Sequence, residues 1–127
     1  MGNTLFDIRE LMDRCLDDAD FAVEMLEIFA RQMPEQMLKL NSAMEAGLTL
    51  DAAKAAHAMK GTSGNLAARR LHVAMSEIEK TLRLEDLSKA QQMLAVVQRE
   101  VNNALADVPT TIASLKGEAS SQPTSLN

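Results

Sequence analysis

The strongest chemical signal in the sequence is a histidine followed closely by a lysine and two glycines: His57, Lys60, Gly61 and Gly64. On a helix at about 100° per residue, one face within about 60° of the imidazole carries small and basic residues, namely Ala53, Lys54, Lys60, Gly61, Gly64 and Ala68. The opposite face carries Ala55, Met59, Thr62 and Leu66. This pattern predicts that the imidazole points to solvent and that the opposite face is buried.

Glycines on an exposed helical face need a physical reason, because each costs about 1 kcal/mol relative to alanine. Gly61 and Gly64 would let another surface approach the imidazole closely. Lys60 places a positive charge where an anion on the ring would sit. This grouping suits a nucleophile that takes up a phosphoryl group. It equally fits an exposed histidine with incidental glycines, because a helical repeat locates faces and does not identify chemistry.

The run from His57 to Leu66 resembles the signature of histidine-containing phosphotransfer (HPt) domains. That family reads His-x-x-Lys-Gly, then small residues, then an apolar residue followed by Gly-Ala. Similar residues cover most of residues 6 to 106, including Phe6-Asp7, Leu11-Met12-Asp13-Arg14, Asp18, Phe29, Pro34 and residues 43 to 47. Ala67 departs from the pattern, since it replaces the usual Gly before Ala68. Because Ala67 is predicted to face neither His57 nor the core centre, we expect the change to be tolerated.

The resemblance implies a phosphorelay carrier, in which His57 Nε2 accepts a phosphoryl group from a receiver-domain aspartate and passes it to another receiver. Lys60 would offset the phosphoryl charge, and the docking surface would include Lys54, Gly61, Gly64 and Ala68. At the position of Glu79 the family often has Gln or Glu, which implies a carboxylate that accepts the Nδ1 proton. Side-chain spacing alone favours an exposed Glu79 paired with Arg83 four residues on.

The implied partners are receiver domains of response regulators and hybrid sensor kinases, and the receiver would hold the Mg²⁺. We expect no cofactor and no metal site in this chain. It has no Gly-x-x-x-x-Gly-Lys phosphate loop, so no ATP-dependent kinase activity is expected, and whether the chain counts as an enzyme stays open. Two alternatives remain: a phosphorylatable module of a chemotaxis-type histidine kinase, and a non-phosphorylated helical scaffold that binds a receiver.

Composition indicates a single helical domain of 127 residues, with 46% hydrophobic but only 2% aromatic residues. The net charge of -5 argues against nucleic acid as a partner. The charge is uneven, since residues 52 to 76 contain no acid, which suits an acidic docking partner. The single cysteine and the lack of a transmembrane-length apolar run predict a cytoplasmic protein without membrane contact, and we expect a monomer.

Two other candidate residues have simpler interpretations. His72 lies near the predicted buried stripe of its helix and lacks a Lys-Gly companion, so a structural or surface role is favoured. Cys15 is expected to be inert packing. Two histidines and one cysteine without ligand spacing do not predict a zinc site.

The elements that must position these residues are all predicted to be helices. A short first helix is capped by Asn3 or Thr4; a second runs from about 19 to 46, with a kink at Pro34, an apolar stripe beginning at Phe21, and an end at Gly47. The histidine helix starts near Thr49 or Asp51 and ends at residues 66 to 68. A fourth helix follows, and a fifth runs from about Glu85 until Pro109 stops it. The predicted fold is an all-α, antiparallel up-and-down four-helix bundle with a short additional N-terminal helix, comprising a domain at residues 1–108 and a flexible tail or linker stub at 109–127.

Overall fold

The computed structural model describes residues 5–124, and within them the side-chain surroundings of residues 5–117. This part of the chain forms five α-helices and no strand, which confirms the predicted all-α class. The helices are α1 (Ile8–Arg14), α2 (Ala19–Glu45), α3 (Thr49–Asn65), α4 (Arg69–Arg83) and α5 (Leu87–Thr124). Helix α3 packs against α2 and α4, and α5 packs against α4 and α2, so these four helices close a ring around one core.

Aspartates begin three of the helices. Asp7, Asp18 and Asp86 each accept a hydrogen bond from the backbone N–H three residues on, at 3.0, 3.0 and 3.1 Å. Each carboxylate satisfies one of the N–H groups that a helix start leaves unpaired, an effect worth about 1 kcal/mol. The predicted caps of α1, Asn3 and Thr4, lie outside the described residues, and the prediction is wrong because Asp7 caps this helix.

Left-handed residues end α2, α3 and α4. As predicted, Gly47 follows α2, with φ of 73°, and the N–H of Leu48 donates back to the carbonyl of Ala43 at 2.9 Å. The same motif ends α3, where the N–H of Ala68 donates to the carbonyl of Ser63, but the left-handed residue is Ala67, with φ of 58°. A side chain in this conformation costs about 1–2 kcal/mol. A glycine, which is usual at this position in the family that the sequence resembles, would avoid this cost.

Ala67 is also buried, contrary to the expectation that it faces neither His57 nor the core centre. Its carbonyl accepts a hydrogen bond from the N–H of Asp7 at 3.0 Å, so it ties the start of α1 to the end of α3. The chain therefore carries backbone strain at a junction that is fixed from several sides.

The core combines aliphatic and methionine side chains with a single ring contact within the described residues, an edge-to-face pair of Phe6 and Phe29 with centroids 5.5 Å apart. The predicted stripe of α2 holds from Phe29 to Met44. It is wrong at Phe21, which is 45% exposed, because Ala22 and Leu26 occupy the buried side of the first turns. Helix α2 runs through Pro34 without a break.

The prediction that Pro109 stops the last helix is wrong. Helix α5 continues to Thr124, with Pro109 on its exposed side. Beyond the proline, Thr111 and Leu115 are buried, and the hydroxyl of Thr111 donates to the carbonyl of Asp107 at 2.8 Å. The first part of the predicted tail therefore belongs to the packed bundle.

Leu115→Ala should lower the free energy of unfolding by about 2–3 kcal/mol, because it removes a fully buried side chain and leaves a cavity. Urea denaturation followed by circular dichroism measures this, with the exposed neighbour Ser114→Ala as the matched control. Equal stability of the two variants would contradict the packed extension of α5 and restore a domain boundary near residue 108.

Candidate functional site

The packing of α3 against α4 brings His57, Lys60 and Glu79 together. His57 Nδ1 lies 3.1 Å from Glu79 Oε2, and Lys60 Nζ lies 3.1 Å from Oε1 of the same carboxylate. The side chain of His57 is 63% exposed, whereas that of Glu79 is 8% exposed. An accessible imidazole thus rests on a buried carboxylate.

The orientation of α3 explains this contact and corrects the helical-wheel prediction. Its buried residues are Ala52, Ala53, Ala56, Met59 and Ser63. Their mean direction lies about 110° from His57, rather than on the opposite side as predicted. Ala53, predicted to lie on the exposed face, is fully buried. His57 consequently lies at the edge of the packed face, beside α4, and this position lets Nδ1 reach Glu79.

Glu79 is held in its ionised form. Burial by itself would raise the pKa of this carboxyl, but hydrogen bonding from Arg83 and from Lys60, together with the charges of Lys60 and His57, outweighs it and holds the pKa below its ordinary value. Arg83 donates to Oε2 from Nε at 2.8 Å, and its Nη2 lies 2.7 Å from the same oxygen. Because an ionised carboxylate only accepts hydrogen bonds, His57 must donate from Nδ1, and in the neutral ring this leaves the lone pair on Nε2.

Both interpretations of Glu79 from the sequence are thus partly met. It pairs with Arg83, as spacing alone suggested, but it is buried rather than exposed and also contacts the imidazole. The sequence indicates Arg83 only as the partner of an exposed Glu79, without a place in the site. The spacing of four residues was the signal for the pair, but the sequence did not show that the pair lies under His57.

The small and basic residues predicted beside His57 fall into different places. Gly61 is exposed, and no described atom beyond its own helical backbone and chain neighbours would lie within 4 Å of a Cβ added there. Lys54 is exposed and lines a shallow groove between α2 and α3 with Lys39 and Ala58. Lys60 is partly buried, with 28% of its side chain exposed. These three residues lie on α3 within four positions of His57.

Ala68 is buried, so its predicted place on the exposed face is wrong. Helix α3 ends at Asn65, and Ala68 is the N-cap of α4, so the wheel drawn from His57 does not extend to it. Its side chain packs in the core and does not offer a surface to a partner.

Gly64 faces another helix of the same chain. A Cβ added to Gly64 would lie 3.0 Å from His72 Nδ1 and 3.2 Å from its Cε1. The His72 Nδ1 lies 3.1 Å from the carbonyl oxygen of Lys60, to which it donates in its Nδ1–H form. His72 therefore joins α4 to the backbone of α3 one turn after His57, in agreement with its predicted structural role. The absent side chain of Gly64 provides room for this ring.

A second charged cluster, which the sequence analysis did not find, borders the site. Glu10 accepts hydrogen bonds from Arg14 and, across 59 residues of sequence, from Arg69. The hydrogen bonds from these two arginines lower the pKa of Glu10. With Lys60, Gly61 and His72, the cluster lines a groove of about 480 Å³ between α1, α3 and α4. Only the contact at i+4 between Glu10 and Arg14 has a local sequence signal.

The remaining expectations concern Cys15, metal binding and membrane-spanning helices. Cys15 is buried, and burial raises the pKa of its thiol, which suits the predicted packing role. Over the described residues, no group of three or more His, Cys, Asp or Glu side chains could hold a metal ion. In the same part of the chain, no helix is both long enough and apolar enough to cross a membrane.

Comparison with known proteins gives one match. A family model described as Hpt domain matches residues 24–110, which is more than half of the chain and includes α3 and α4 entirely. No significant match was found among curated proteins or among solved structures.

The two glycines of α3 should respond differently to the same substitution. Gly61→Ala should raise the free energy of unfolding by about 0.5–1 kcal/mol, because helix propensity improves in open space. Gly64→Ala should be at least about 1 kcal/mol less stable than Gly61→Ala, because its Cβ displaces the His72 ring and weakens the bond to Lys60. Urea denaturation measures both.

The double substitution Gly64→Ala with His72→Ala is the matched test of this explanation. Removal of the ring should restore the helix-propensity gain relative to His72→Ala alone. An equal loss in both backgrounds would show that Gly64 is required for a reason other than the His72 contact.

Glu79 should make stability depend on pH. Its pKa is lower in the folded than in the unfolded protein, so its contribution is complete above the ordinary pKa of about 4.5 and is lost as pH falls through the folded value. Urea unfolding between pH 3 and 6 should therefore show a shallower acid-side loss for Glu79→Gln than for the wild type. Glu77→Gln removes an exposed carboxylate from the same helix and is the control. Parallel profiles for the wild type and Glu79→Gln would contradict the ion-paired state.

Proposed function

The chain belongs to the Hpt domain family, whose members carry out phosphotransfer in two-component signalling, and we propose that it is a phosphorelay carrier that acts through His57. The observation that carries the proposal is the contrast between the two ring nitrogens. Nδ1 lies against a buried, ionised glutamate, while most of the imidazole is exposed. Such a ring has one nitrogen occupied and the other available as a nucleophile.

In the proposed step, the lone pair of His57 Nε2 attacks the phosphorus of an aspartyl phosphate on a receiver domain. The N–P bond forms as the P–O bond to the aspartate breaks, and the aspartate leaves as a carboxylate. The Nδ1 proton stays on the ring, where Glu79 balances the positive charge that develops. The reverse step, on a second receiver, returns the phosphoryl group to an aspartate. Either direction of flow uses the same groups.

Lys60 is proposed to offset the charge of the phosphoryl oxygens, and Gly61 to allow the receiver to approach the ring. Lys54 extends the basic character of this surface, since residues 52–76 contain no acid. We expect the receiver's acidic pocket to hold the Mg²⁺ of the reaction, because carboxylates and phosphoryl oxygens are its preferred ligands. The chain then supplies the nucleophile and its surroundings, while the partner supplies most of the catalysis.

Gly64 is proposed to contribute to docking less directly than Gly61. Its missing side chain admits His72, which shapes the groove beside Lys60 that a receiver would meet. We also infer the antiparallel up-and-down order of α2 to α5, because connections of three residues each join these helices. A monomeric carrier in the cytoplasm is the form that we expect to meet receivers.

A substitution at each histidine tests the proposal. His57→Gln should abolish phosphorylation by a phosphorylated receiver and by phosphoramidate, while the protein stays folded and loses no more than about 1.5 kcal/mol of stability, because the ring is largely exposed and the substitution removes its hydrogen bond to Glu79. His72→Gln should still be phosphorylated. Transfer of ³²P label and intact-mass spectrometry measure both, and the label should be acid-labile and alkali-stable, as for a phosphoramidate.

Label that persists in His57→Gln would show that another group is the acceptor. Binding of a phosphorylated receiver to the wild-type protein without any transfer would contradict the carrier and support a scaffold that only occupies the receiver.

A further inference from the structure

Arg83 shares one oxygen of Glu79 with His57. Its Nε and Nη2 lie 2.8 and 2.7 Å from Oε2, and His57 Nδ1 lies 3.1 Å from the same atom. We propose that Arg83 is a positioning residue for phosphotransfer, which holds Glu79 so that Lys60 is free to move to the phosphoryl group. This inference rests on the proposed function of His57.

Lys60 and Arg83 are bound to the carboxylate in different ways. Arg83 makes charge-assisted hydrogen bonds with a planar group whose donors fit a carboxylate. Lys60 makes a single contact with the carboxylate, from Nζ to Oε1 at 3.1 Å, whereas Arg83 places two nitrogen donors on Oε2. Lys60 is therefore the more loosely held of the two cations.

A phosphoryl group on Nε2 would place roughly two negative charges near Lys60. Lys60 can follow these charges only if its departure does not leave a buried carboxylate without a counter-ion, which is a costly state. Arg83 prevents that state because it stays on Oε2. In its absence, Glu79 would retain Lys60, and the phosphoryl group would compete with a buried anion for the same ammonium.

Arg83 also affects the ring directly. Because Arg83 and His57 Nδ1 share Oε2, each interacts less strongly with this oxygen than it would if the other were absent. Removal of Arg83 should strengthen the interaction of Glu79 with the imidazolium form of His57. The ring would then protonate at higher pH and have a smaller nucleophilic fraction at neutral pH.

The charged groups that face this cluster come from both sides of α3. On the α4 side they are Glu79 and Arg83, and α3 itself contributes His57 and Lys60. The groove that Lys60 lines between α1, α3 and α4 adds Glu10, Arg14, Arg69 and His72. On the α2 side, Lys39 lines the groove that also holds Asp51 and Lys54. The carboxylate that contacts the ring is that of Glu79, so a change at Arg83 should reach the imidazole through this group.

The first experiment measures the ring without any phosphodonor. The protonation midpoint of His57, followed by NMR in the wild-type protein, should rise by about 0.5–1 pH unit in Arg83→Gln. Arg83→Lys should fall between the two, because it keeps the charge but loses the planar group. Lys80→Gln, which removes an exposed cation from the same helix, is the matched control and should leave the midpoint near that of the wild type.

The second experiment measures phosphorylation by phosphoramidate. Arg83→Gln should react about tenfold more slowly than Lys80→Gln at neutral pH, which corresponds to about 1.4 kcal/mol. A part of the loss should persist above the His57 midpoint, where protonation no longer matters. In a Glu79→Gln background, Arg83→Gln should have no further effect, because its action passes through Glu79. If Arg83→Gln does not fold, the phosphorylation rate of Arg83→Lys is compared with that of the wild-type protein instead.

These readouts separate the inference from the function on which it rests. A wild-type protein that no donor phosphorylates overturns both. A wild-type protein that is phosphorylated, with Arg83→Gln equal to Lys80→Gln in midpoint and rate, overturns the role of Arg83 alone. An equal effect of Arg83→Gln with and without Glu79 would show that Arg83 does not act through that carboxylate, and would also overturn the inference.

Discussion

The site depends on one buried carboxylate between two helices. Glu79 is almost inaccessible, and such a group is stable in its ionised form only when cations compensate for lost hydration. Arg83 comes from its own helix, while Lys60 and His57 come from α3. Because the Glu79 carboxylate must stay paired with cations, it constrains which side of α3 faces α4. The exposed ring of His57 is oriented because its Nδ1–H donates a hydrogen bond to this buried carboxylate.

The packed face of α3 consists mainly of small side chains. Ala52, Ala53, Ala56 and Ser63 form most of its buried face, and Ser63 satisfies its own hydroxyl by donation to the carbonyl of Met59 at 2.7 Å. Small side chains on a packed face allow two helices to approach closely, and Glu79 reaches the imidazole on the neighbouring helix at 3.1 Å. Gly64 extends the same principle to the end of α3, where the space that it leaves is filled by His72.

Much of the fold could be predicted from sequence because apolar periodicity and helix-end signals are local. The all-α class, the approximate bounds of α2 and α3, the presence of α4, and the stop at Gly47 follow from such signals. The orientation of α3 could not be predicted in the same way, since a wheel orders residues around an axis but does not say where the neighbouring helices lie. Alanines and glycines give that wheel little contrast, so it places Ala53 on the wrong side, and Ala68 lies beyond the end of α3, where the wheel no longer applies.

The errors at Pro109 and Ala67 have a different origin, because there tertiary packing overrides a local preference. Pro109 lies on the exposed side of α5, where a missing N–H and a local distortion are tolerated, while Thr111 and Leu115 pack beyond it. Ala67 keeps a left-handed conformation because its carbonyl bonds to Asp7 and its side chain is buried.

In the proposed relay, the two anions near Lys60 also explain how transfer could stay reversible. If a lysine contacted only the phosphoryl group, it would stabilise that group on His57 and slow its release to the next receiver. Lys60 instead lies near both the ring and Glu79, so any gain at the phosphoryl group is offset by a weaker contact with the buried carboxylate. Arg83 limits that loss without adding a cation at the reacting nitrogen. Because Lys60 can move while Arg83 stays on Glu79, the phosphohistidine would both form readily and release its phosphoryl group readily, as a carrier between two receivers requires.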